Sequence, residues 1–390
     1  MRGSLVHQGK NRWSLVMDLG YVTDPATGKR KRQQKWVSFH GTKKAAEDKL
    51  TELARSVNRD EWVEPSKTTL LDYLRKWVER SVKPPMKRPA TYRLYCTIIE
   101  YHIAKSTVAS LPLQKVRGSD LERYYAELKL APGSVQVHHA VLHSALEKAV
   151  LDHLLTRNPA VHLERPRPSR DRAAVREHCW AALEASRFLA AARTAGEQSA
   201  AFFALALDTG ARKSELHGLL WTDVDLDSGT LSISRQLDKA GVEPVFGVTK
   251  TGRTRTLSLG AETVTLLRAH KRHQAELKMA NRTTYQDHGL MFAKEAEDLQ
   301  TPLAALGQPI CTLAEKRFKR LIAQAGVKDI KFHGLRHTSI TLMLAAGVPV
   351  HVVSKRVGHA NVSMTLDIYA HALPDQQQDA AARLAAVLHG

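Results

Sequence analysis

The sequence has little cysteine and no long apolar run. Its three cysteines, Cys96, Cys179 and Cys311, lie far apart, which excludes a disulfide framework and a Cys-x-x-Cys metal clip. No apolar stretch approaches the roughly 20 residues of a membrane-spanning helix, and the first residues have no apolar core that would indicate a secretory signal. The sequence also lacks a nucleotide-binding P-loop and a carboxylate cluster of the two-metal type. These absences predict a cytosolic protein that uses no metal or nucleotide cofactor.

Positive charge is what the chain has in excess. Its 58 Lys and Arg against 39 Asp and Glu give a formal net charge of +19, and the sequence pI is about 9.9. Such a surplus predicts a polyanionic partner, nucleic acid in preference to an anionic membrane. With 43% hydrophobic and 25% charged residues, the composition is that of a folded globular protein. Because the surplus is spread along the chain, we expect the polyanion to contact all of its parts.

The first 65 residues predict a three-stranded sheet with one helix. Polar and apolar residues alternate over Trp13–Leu19, a Pro-x-x-Gly turn follows, and a second extended stretch runs from Lys29 to Phe39. Thr42 is the expected N-cap of the helix. We expect residues 1–65 to bind DNA with the sheet in the major groove; a solvated basic hairpin is the alternative. The basic residues expected to contact DNA are Lys29, Arg30, Lys31, Arg32 and Lys35.

The rest of the chain divides at two proline-containing boundaries. Residues 66–165 have helical periodicity and predict a helical DNA-binding domain, although any helical bundle would give this pattern. Residues 166–175 are rich in Pro and Arg and predict an extended linker on DNA, with Arg167 and Arg170 as contacts. Residues 176–390 predict a mixed, mainly helical domain with a small antiparallel sheet. The predicted fold class is therefore multidomain α+β.

Helices and strands are predicted at defined places in these two larger domains. In residues 66–165 the expected helices are Leu70–Val78, Thr91–Ile103, Ser119–Leu128 and Ser134–Leu155. In residues 176–390 they are Cys179–Ala192, Ser199–Asp208, Arg212–Leu220 and a terminal apolar-faced helix over Ala380–Leu388, with strands between Thr230 and Leu259.

Two basic motifs in residues 176–390 are suited to binding a phosphate group. Arg212 follows a Gly at a predicted helix start, near the positive end of the helix dipole, and Glu215 lies three residues on, where a carboxylate orients a basic group. A surface Arg–Glu ion pair is the alternative. Lys250 lies in a Gly-containing predicted hairpin, close to Arg253 and Arg255, which are both expected to contact DNA. A lysine there suits proton donation to a leaving group and suits a DNA-backbone contact equally well.

The C-terminal half adds two histidines, an arginine and a tyrosine. His333 and Arg336 are three residues apart and share a helix face, whereas His337 is expected to point elsewhere. His359 follows a Gly, and Tyr369 comes ten residues later. A lone Tyr near a C-terminus is usually a half-buried aromatic.

Together these groups fit cleavage of a phosphodiester. A hydroxyl nucleophile stores the bond as a covalent ester, and a phenol is also a good leaving group for the reverse step. Two arginines neutralise the non-bridging oxygens as charge builds up, so metal ions are not needed. A lysine protonates the departing 5′ oxygen, while a histidine receives the phenol proton or contacts the phosphate.

The same residues, in this order, resemble the tyrosine recombinase (phage integrase) family. The patterns Thr-Gly-x-Arg-x-x-Glu-Leu, His-x-Leu-Arg-His-Thr and Gly-His-x-x-x-x-x-Thr-x-x-x-Tyr-x-His lie between residues 209 and 371. Each pattern is weak alone, but their combination is specific. Residues 13–64 resemble the arm-site-binding domain of integrases of phages and integrative elements. Residues 66–165 resemble the helical (SAM-like) core-site-binding domain.

The resemblance implies a role for each matched residue. Tyr369 would be the nucleophile that forms a 3′-phosphotyrosine, and Arg212 and Arg336 would clamp the scissile phosphate. The remaining roles fall to Lys250 as general acid, His333 as base or phosphate contact, His359 as further phosphate donor and Glu215 as support for the site. Val357 departs from the Leu that the family often has before Gly-His, an exchange of one apolar residue for another.

The implied function is site-specific integration and excision of a phage or mobile element through a Holliday junction. The implied partners are core and arm sites of double-stranded DNA, a homotetramer on that DNA, and excisionase and host DNA-bending proteins. No cofactor is expected, and the location would be the bacterial cytoplasm, at the nucleoid.

Three further hypotheses remain open for the sequence. Within the same chemistry, the chain could be a type IB topoisomerase or a chromosome-dimer resolvase, although resolvases usually lack a basic sheet module at the N-terminus. A catalytically silent DNA-binding regulator of the same fold is the second hypothesis, and such a protein would not need Tyr369. The third, a basic structural protein, explains the charge but none of the motifs.

Overall fold

The computed structural model describes residues 3–23, 30–58, 63, 65–164, 178–239, 243–249, 252–295, 305–369 and 384–388. It consists of helices and small antiparallel sheets, which confirms the predicted α+β class. The chain divides into two compact units, Met1–Ser169 and Arg170–Gly390. The finer division of the first unit at residue 65 stays a prediction. Within the described ranges, no helix is both long and apolar enough to cross a bilayer.

The first unit begins with a sheet covered by one helix. Its elements are β1 (Gly3–Gly9), β2 (Arg12–Thr23), β3 (Arg30–His40) and α1 (Lys43–Asn58). The strands are antiparallel in the order β1-β2-β3, and Leu15 of β2 lies opposite Leu5 and Val37. Leu15 and Ala46 of α1 are completely buried, so the helix covers one side of the sheet. As expected for an N-cap, Thr42 Oγ1 accepts a hydrogen bond from the N–H of Ala45 at 3.3 Å.

Helices form the remainder of the first unit. They are α2 (Leu70–Ser81), α3 (Pro89–Thr97), α4 (Gly118–Glu127) and α5 (Pro132–Leu151). α2 starts at a Thr69 cap, whose Oγ1 accepts from the N–H of Asp72 at 3.1 Å, and α3 and α5 each start with a proline, whose missing N–H costs nothing there. The buried residues of their hydrophobic core all belong to the sequence range from Leu70 to Ala160, and none of them comes from the sheet.

Two predicted helix ends in this unit were wrong. The helix expected to reach Ile103 is α-helical only to Thr97 and continues as a π turn over Ile98–His102. The wider turn accompanies burial of two successive isoleucines, Ile98 and Ile99. The helix expected to reach Leu155 ends at Leu151, because His153 has a left-handed backbone with φ of 53°.

The second unit combines helices with two small sheets. Its helices are α6 (Ala182–Thr194), α7 (Glu197–Thr209), α8 (Lys213–His217), α9 (Ala261–Ala280), α10 (Cys311–Ala325), α11 (Gly334–Ala345), α12 (Val350–Val357) and α13 (Val362–Tyr369). Its strands are β4 (Val224–Asp225), β5 (Thr230–Ile233), β6 (Arg235–Lys239), β7 (Val245–Val248) and β8 (Arg255–Ser258), in one sheet of order β4-β5-β8 and one pair β6-β7. Of the predicted terminal helix, residues 384–388 are described, and they are helical and exposed.

The core of the second unit is aromatic. Phe188 packs edge-on against Phe203 and Phe318, with ring centroids 5.1 and 5.5 Å apart, and all three are buried. Trp180 lies on the same cluster and donates from Nε1 to the carbonyl of Lys328 at 2.8 Å, which satisfies its one polar atom inside the core.

Two local predictions for this unit need correction. The helix predicted over Arg212–Leu220 spans only α8, because Arg212 has an extended backbone (φ −70°, ψ 151°) and donates its N–H to Glu215. The segment around Lys250 does not join a hairpin, since β7 pairs with β6 and β8 pairs with β5. The reason is burial: Leu257 of β8 enters the core opposite Leu231, whereas the ends of β7 are exposed.

Buried His217 predicts an acid-sensitive fold. His217 is 2% exposed on α8 and stacks on Phe202 with a centroid distance of 5.5 Å. Burial, together with the charge of Lys213, lowers its pKa to about 3. Between the ordinary pKa of about 6.5 and that value, the unfolded chain takes up a proton that the folded chain does not, so stability falls as the pH falls.

We expect His217→Leu to weaken this pH dependence. The free energy of unfolding of the wild type should fall more steeply from pH 7 to pH 4 than that of the variant, by on the order of 1–3 kcal/mol. Urea unfolding across that pH range measures the difference. His351→Leu, an exposed position on α12, is the matched control and should follow the wild type. Parallel curves for wild type and His217→Leu would contradict the prediction.

Candidate functional site

The site is built around the C-terminal turn of α12. The helix ends at Gly358, whose left-handed φ of 73° suits glycine. The N–H groups of Gly358 and His359 both donate to the carbonyl of Ser354, at 3.1 and 3.0 Å. The chain therefore leaves the helix abruptly and presents His359 directly beyond its end.

Three arginines donate to successive carbonyl groups of this turn. Arg255 Nε donates to the carbonyl of residue 356 at 3.0 Å, Arg336 Nη1 to that of residue 357 at 2.7 Å, and Arg212 Nη2 to that of residue 358 at 2.9 Å. The last carbonyls of a helix lack intrahelical donors and form the negative end of its dipole, so cationic donors are favoured there. The turn brings together two of the predicted phosphate-binding residues and one predicted DNA contact.

Arg212 is held by Glu215 at the start of α8. Arg212 Nη1 donates to Glu215 Oε1 at 2.8 Å, and its backbone N–H donates to Oε2 at 3.0 Å. The second arginine on this carboxylate is Arg255, with Nη2 2.6 Å from Oε2. Glu215 thus orients Arg212, as the spacing of three residues predicts, while Arg255 lies inside the site and not on an open surface.

Glu215 remains ionised although it is completely buried. Burial by itself raises the pKa of a carboxyl group, but the hydrogen bonds and charges of Arg255 and Arg212 outweigh it, and the pKa of Glu215 is lowered. A buried carboxylate with two guanidinium partners is a rigid and charged support, and removing the carboxylate would leave two cationic groups uncompensated.

Arg336 links the end of α7 to the end of α12. It is buried in the first turn of α11, and Nη1 donates to the carbonyl of Gly210 at 2.7 Å in addition to that of Val357. Gly210 has a left-handed φ of 57° at the end of α7, two residues before Arg212. Both predicted phosphate-binding arginines are therefore anchored on the same pair of helix ends.

His333 and His337 lie together, contrary to the prediction that His337 points elsewhere. His333 is exposed at the N-cap of α11, and the ring of His337 meets it edge-on at a centroid distance of 5.0 Å. The prediction failed because positions 333 and 337 are four residues apart on a helical turn and so stack on one side. Burial lowers the pKa of His337 to about 4, with contributions from His333 and Arg336.

His359 is a neutral imidazole at physiological pH. Its Nδ1 lies 2.8 Å from the hydroxyl of Thr365, a completely buried residue of α13. Burial lowers the pKa of His359 to about 4, and the positive charges of Arg336 and Arg212 add to the effect. These contributions identify His359 as part of the same electrostatic site as the two arginines.

Tyr369 and Lys250 complete the set of predicted site residues. Tyr369 is the last residue of α13, one helical turn after Thr365, and the structure describes its backbone only. Lys250 lies outside the described residues. Its neighbours form a tight turn in which the N–H of Gly252 donates to the carbonyl of Thr249 at 2.9 Å, between β7 and β8.

A basic groove of about 590 Å³ lies beside His359, between β8 and α12. It is lined in part by Arg253, Lys355 and Arg356. The first two of these residues are exposed. Sequence reasoning missed Arg356, which donates to Asp208 Oδ1 at 2.5 Å and to the carbonyl of Ser258 at 3.0 Å. No local pattern indicates this residue, because its partners are more than 90 residues away in the chain.

The predicted DNA contacts of the first unit lie on β3. Arg30 is exposed, and Lys31 and Arg32 follow it along the strand. Lys35 is half-buried on the helix-covered side, opposite buried Met17. The neighbouring Trp36, which sequence reasoning did not single out, is 56% exposed on the open side, and strand alternation was the signal that could have found it. Lys29, Arg167 and Arg170 lie outside the described residues.

The described part of the chain contains no cluster of metal-ligating side chains. Among the described residues, no three His, Cys, Asp or Glu side chains come close enough to hold a metal ion. The polar centre of the site is instead made of guanidinium groups, a carboxylate and imidazoles.

Comparison with known proteins gives one consistent result. Residues 181–376 match the model of the phage integrase family. A tyrosine recombinase XerC-like protein of Caldanaerobacter subterraneus subsp. tengcongensis is 27% identical over 395 residues, which covers 96% of each chain. The Tn1549 transposon integrase in complex with a circular intermediate DNA has a TM-score of 0.63 at 19% identity, over 81% of this chain and 99% of that chain. A lambda integrase tetramer bound to a Holliday junction has a TM-score of 0.56 at 16% identity, over 96% and 95%.

The family match covers half of the 390 residues, and it contains the whole arginine-rich turn of α12. The two solved structures share the fold. The class of protein is thereby a DNA recombinase, and the chain belongs to the phage integrase family.

We expect Gly358→Ala to destabilise the second unit more than a matched glycine change. Gly326, at the end of α10, has a similar φ of 60° with no atom near the position of an added Cβ, whereas at Gly358 that Cβ would lie 2.9 Å from Arg255 Nη1. Gly326→Ala should cost the left-handed strain of about 1–2 kcal/mol. Gly358→Ala should cost about 1–3 kcal/mol more, because Arg255 must move. Urea unfolding measures both, and equal losses would refute the close contact.

Proposed function

We propose that this chain is a site-specific DNA integrase that cleaves and rejoins DNA strands through a 3′-phosphotyrosine and a Holliday junction. In this role it integrates and excises a phage or other mobile element. The observation that carries the proposal is the convergence of Arg212, Arg336 and His359 on one helix end. These three residues are of the two types, arginine and histidine, that stabilise a phosphodiester during transfer, and they come from separate segments of the chain.

The two arginines supply the phosphate clamp of the proposed reaction. Each is anchored to the protein on one side, Arg212 on Glu215 and Arg336 on the carbonyl of Gly210. A guanidinium held in this way needs little reorganisation when negative charge develops on the non-bridging oxygens. Preorganised donors of this kind contribute about 2.7–4 kcal/mol each to transition-state stabilisation.

The proposed chemistry conserves the energy of the cut bond. The Tyr369 oxygen attacks the phosphorus as the phenol proton leaves to His333, and the bond to the 5′ oxygen breaks. Lys250 gives a proton to that 5′ oxygen, while neutral His359 donates a hydrogen bond to the phosphate. A 5′ hydroxyl from the second duplex then attacks the phosphotyrosine and releases the tyrosine. The sequence motifs carry the roles of Lys250 and Tyr369, since neither side chain is described.

The proposed partner is double-stranded DNA, at core sites and at arm sites. The net charge of +19 supports a phosphate-rich partner. The two structural relatives are described as bound to circular intermediate DNA and to a Holliday junction, the latter as a tetramer. We propose the same assembly here: a homotetramer on DNA, assisted by an excisionase and a host DNA-bending protein.

We expect Tyr369→Phe to bind attachment-site DNA with unchanged affinity and to form no covalent adduct, because it lacks the nucleophilic oxygen. The assay incubates protein in EDTA with nicked attachment-site DNA recovered from a genomic junction and scores a denaturation-resistant band. Tyr285→Phe, at the other tyrosine of residues 170–390, is the matched control and should keep the band.

A normal band from Tyr369→Phe would overturn the assignment of the nucleophile. No band from the wild type, despite tight and specific binding, would favour a silent DNA-binding regulator. An assay of strand exchange between two DNA sites then distinguishes a recombinase from a topoisomerase.

We expect deletion of residues 1–65 to leave cleavage of core-site DNA intact but to abolish efficient integration. The core of the following helices contains no residue of the sheet, so we expect these helices to fold without it. Without the sheet, the protein should no longer hold arm sites. Cleavage and integration assays on the same DNA measure the two effects separately, and unimpaired integration would refute the arm-site role.

A further inference from the structure

We propose that Arg255 is a positioning residue of the recombination site and not a DNA contact. It holds Glu215 and the C-terminal turn of α12 in a single arrangement, and it thereby determines where the phosphate-binding Arg212 and His359 lie. This inference rests on the proposed function.

All three nitrogens of the Arg255 guanidinium donate to acceptors of the protein. Nη2 donates to Glu215 Oε2 at 2.6 Å, and Nη1 donates to Oε1 at 3.3 Å. Nε donates to the carbonyl of Arg356 at 3.0 Å. The side chain is only 9% exposed. Each nitrogen of Arg255 therefore already has a protein acceptor, and two of the three serve the carboxylate that holds Arg212.

Glu215 transmits the effect of Arg255 to Arg212. The two oxygens of this buried carboxylate are shared, because Oε2 accepts from Arg255 and from the backbone of Arg212 while Oε1 accepts from both side chains. If Arg255 is removed, Glu215 is free to rotate toward its one remaining cationic partner. The Arg212 guanidinium moves with it, away from the position that its contact with Gly358 defines.

His359 is coupled to Arg255 from the other side. Arg255 contacts the turn at the carbonyl of Arg356 and packs against Gly358, the residue that immediately precedes His359. It is also the first residue of β8, directly after the segment that contains Lys250. One guanidinium therefore joins the strand, the buried carboxylate and the helix end.

Lysine cannot replace Arg255 in this geometry. A guanidinium offers a planar fork to both carboxylate oxygens and a further N–H at its Nε, whereas an ammonium group is a single point of donation. Arg255→Lys keeps the charge and should still lose the arrangement. Displacement of reacting groups by about 1 Å lowers rates by roughly 100-fold.

The experiment compares Arg255→Lys and Arg255→Gln with wild type in single-turnover cleavage at saturating protein, and measures DNA affinity across a salt series. We expect about a 100-fold loss of cleavage rate with unchanged affinity and salt dependence. Arg193→Gln, which breaks an exposed arginine–carboxylate pair at 2.8 Å on α6, is the matched control and should cleave normally. A weaker salt dependence with a normal saturating rate would overturn the proposal in favour of a DNA contact.

A double-mutant cycle with Glu215→Gln tests whether Arg255 acts through the carboxylate. Arg255→Gln should reduce the cleavage rate much less in the Glu215→Gln background than in the wild type, and the double variant leaves no lone buried charge that would unfold the protein. Fully additive losses would overturn the proposal.

The pH profile of cleavage gives a readout that loss of packing alone would not move. With one cationic partner gone, the pKa of Glu215 should rise, so the acid limb of Arg255→Gln should shift to higher pH. An unshifted limb would contradict the proposed role. Absence of cleavage by the wild type would refute the proposed function itself, whereas an active wild type with equally active Arg255 variants would refute only this inference.

Discussion

Three guanidinium groups donate to three successive carbonyl oxygens, those of Arg356, Val357 and Gly358, at the end of α12. A helix C-terminus has unsatisfied acceptors and partial negative charge. Each such hydrogen bond to a charged donor contributes about 1.5–3 kcal/mol. The arginines come from the strand β8, the N-cap of α8 and the helix α11, so the relative positions of these elements depend on this turn.

Glu215 balances this concentration of positive charge. A completely buried carboxylate is costly alone, but here two arginines surround it and hold it ionised. Burial, reinforced by the positive charges of the site, lowers the pKa of His359 and of His337 and keeps both neutral. The result is a site that combines several guanidinium groups with uncharged imidazoles.

The sequence predicted the α+β class, most helices and the residue types of the site, because periodicity and motif spacing are local properties. It was wrong about the hairpin at Lys250, since β7 and β8 have the alternation of a strand pair but differ in burial. It was also wrong about His337, which packs on His333. The inward orientation of Arg255 was not predictable, because its partner Glu215 is 40 residues away in the chain.

The sequence by itself determined which chemistry is available: the arginines, histidines and tyrosine, their order, and the surplus of positive charge. Tertiary structure alone decided which carbonyl and carboxylate groups each arginine binds. Arg212 and Arg255 are the same residue type, and both bind Glu215. They differ because Arg212 precedes a helix and donates to the carbonyl of Gly358, 146 positions along the chain, whereas Arg255 begins a strand and donates to the carbonyl of Arg356. That difference arises from packing between distant segments, which no local pattern encodes.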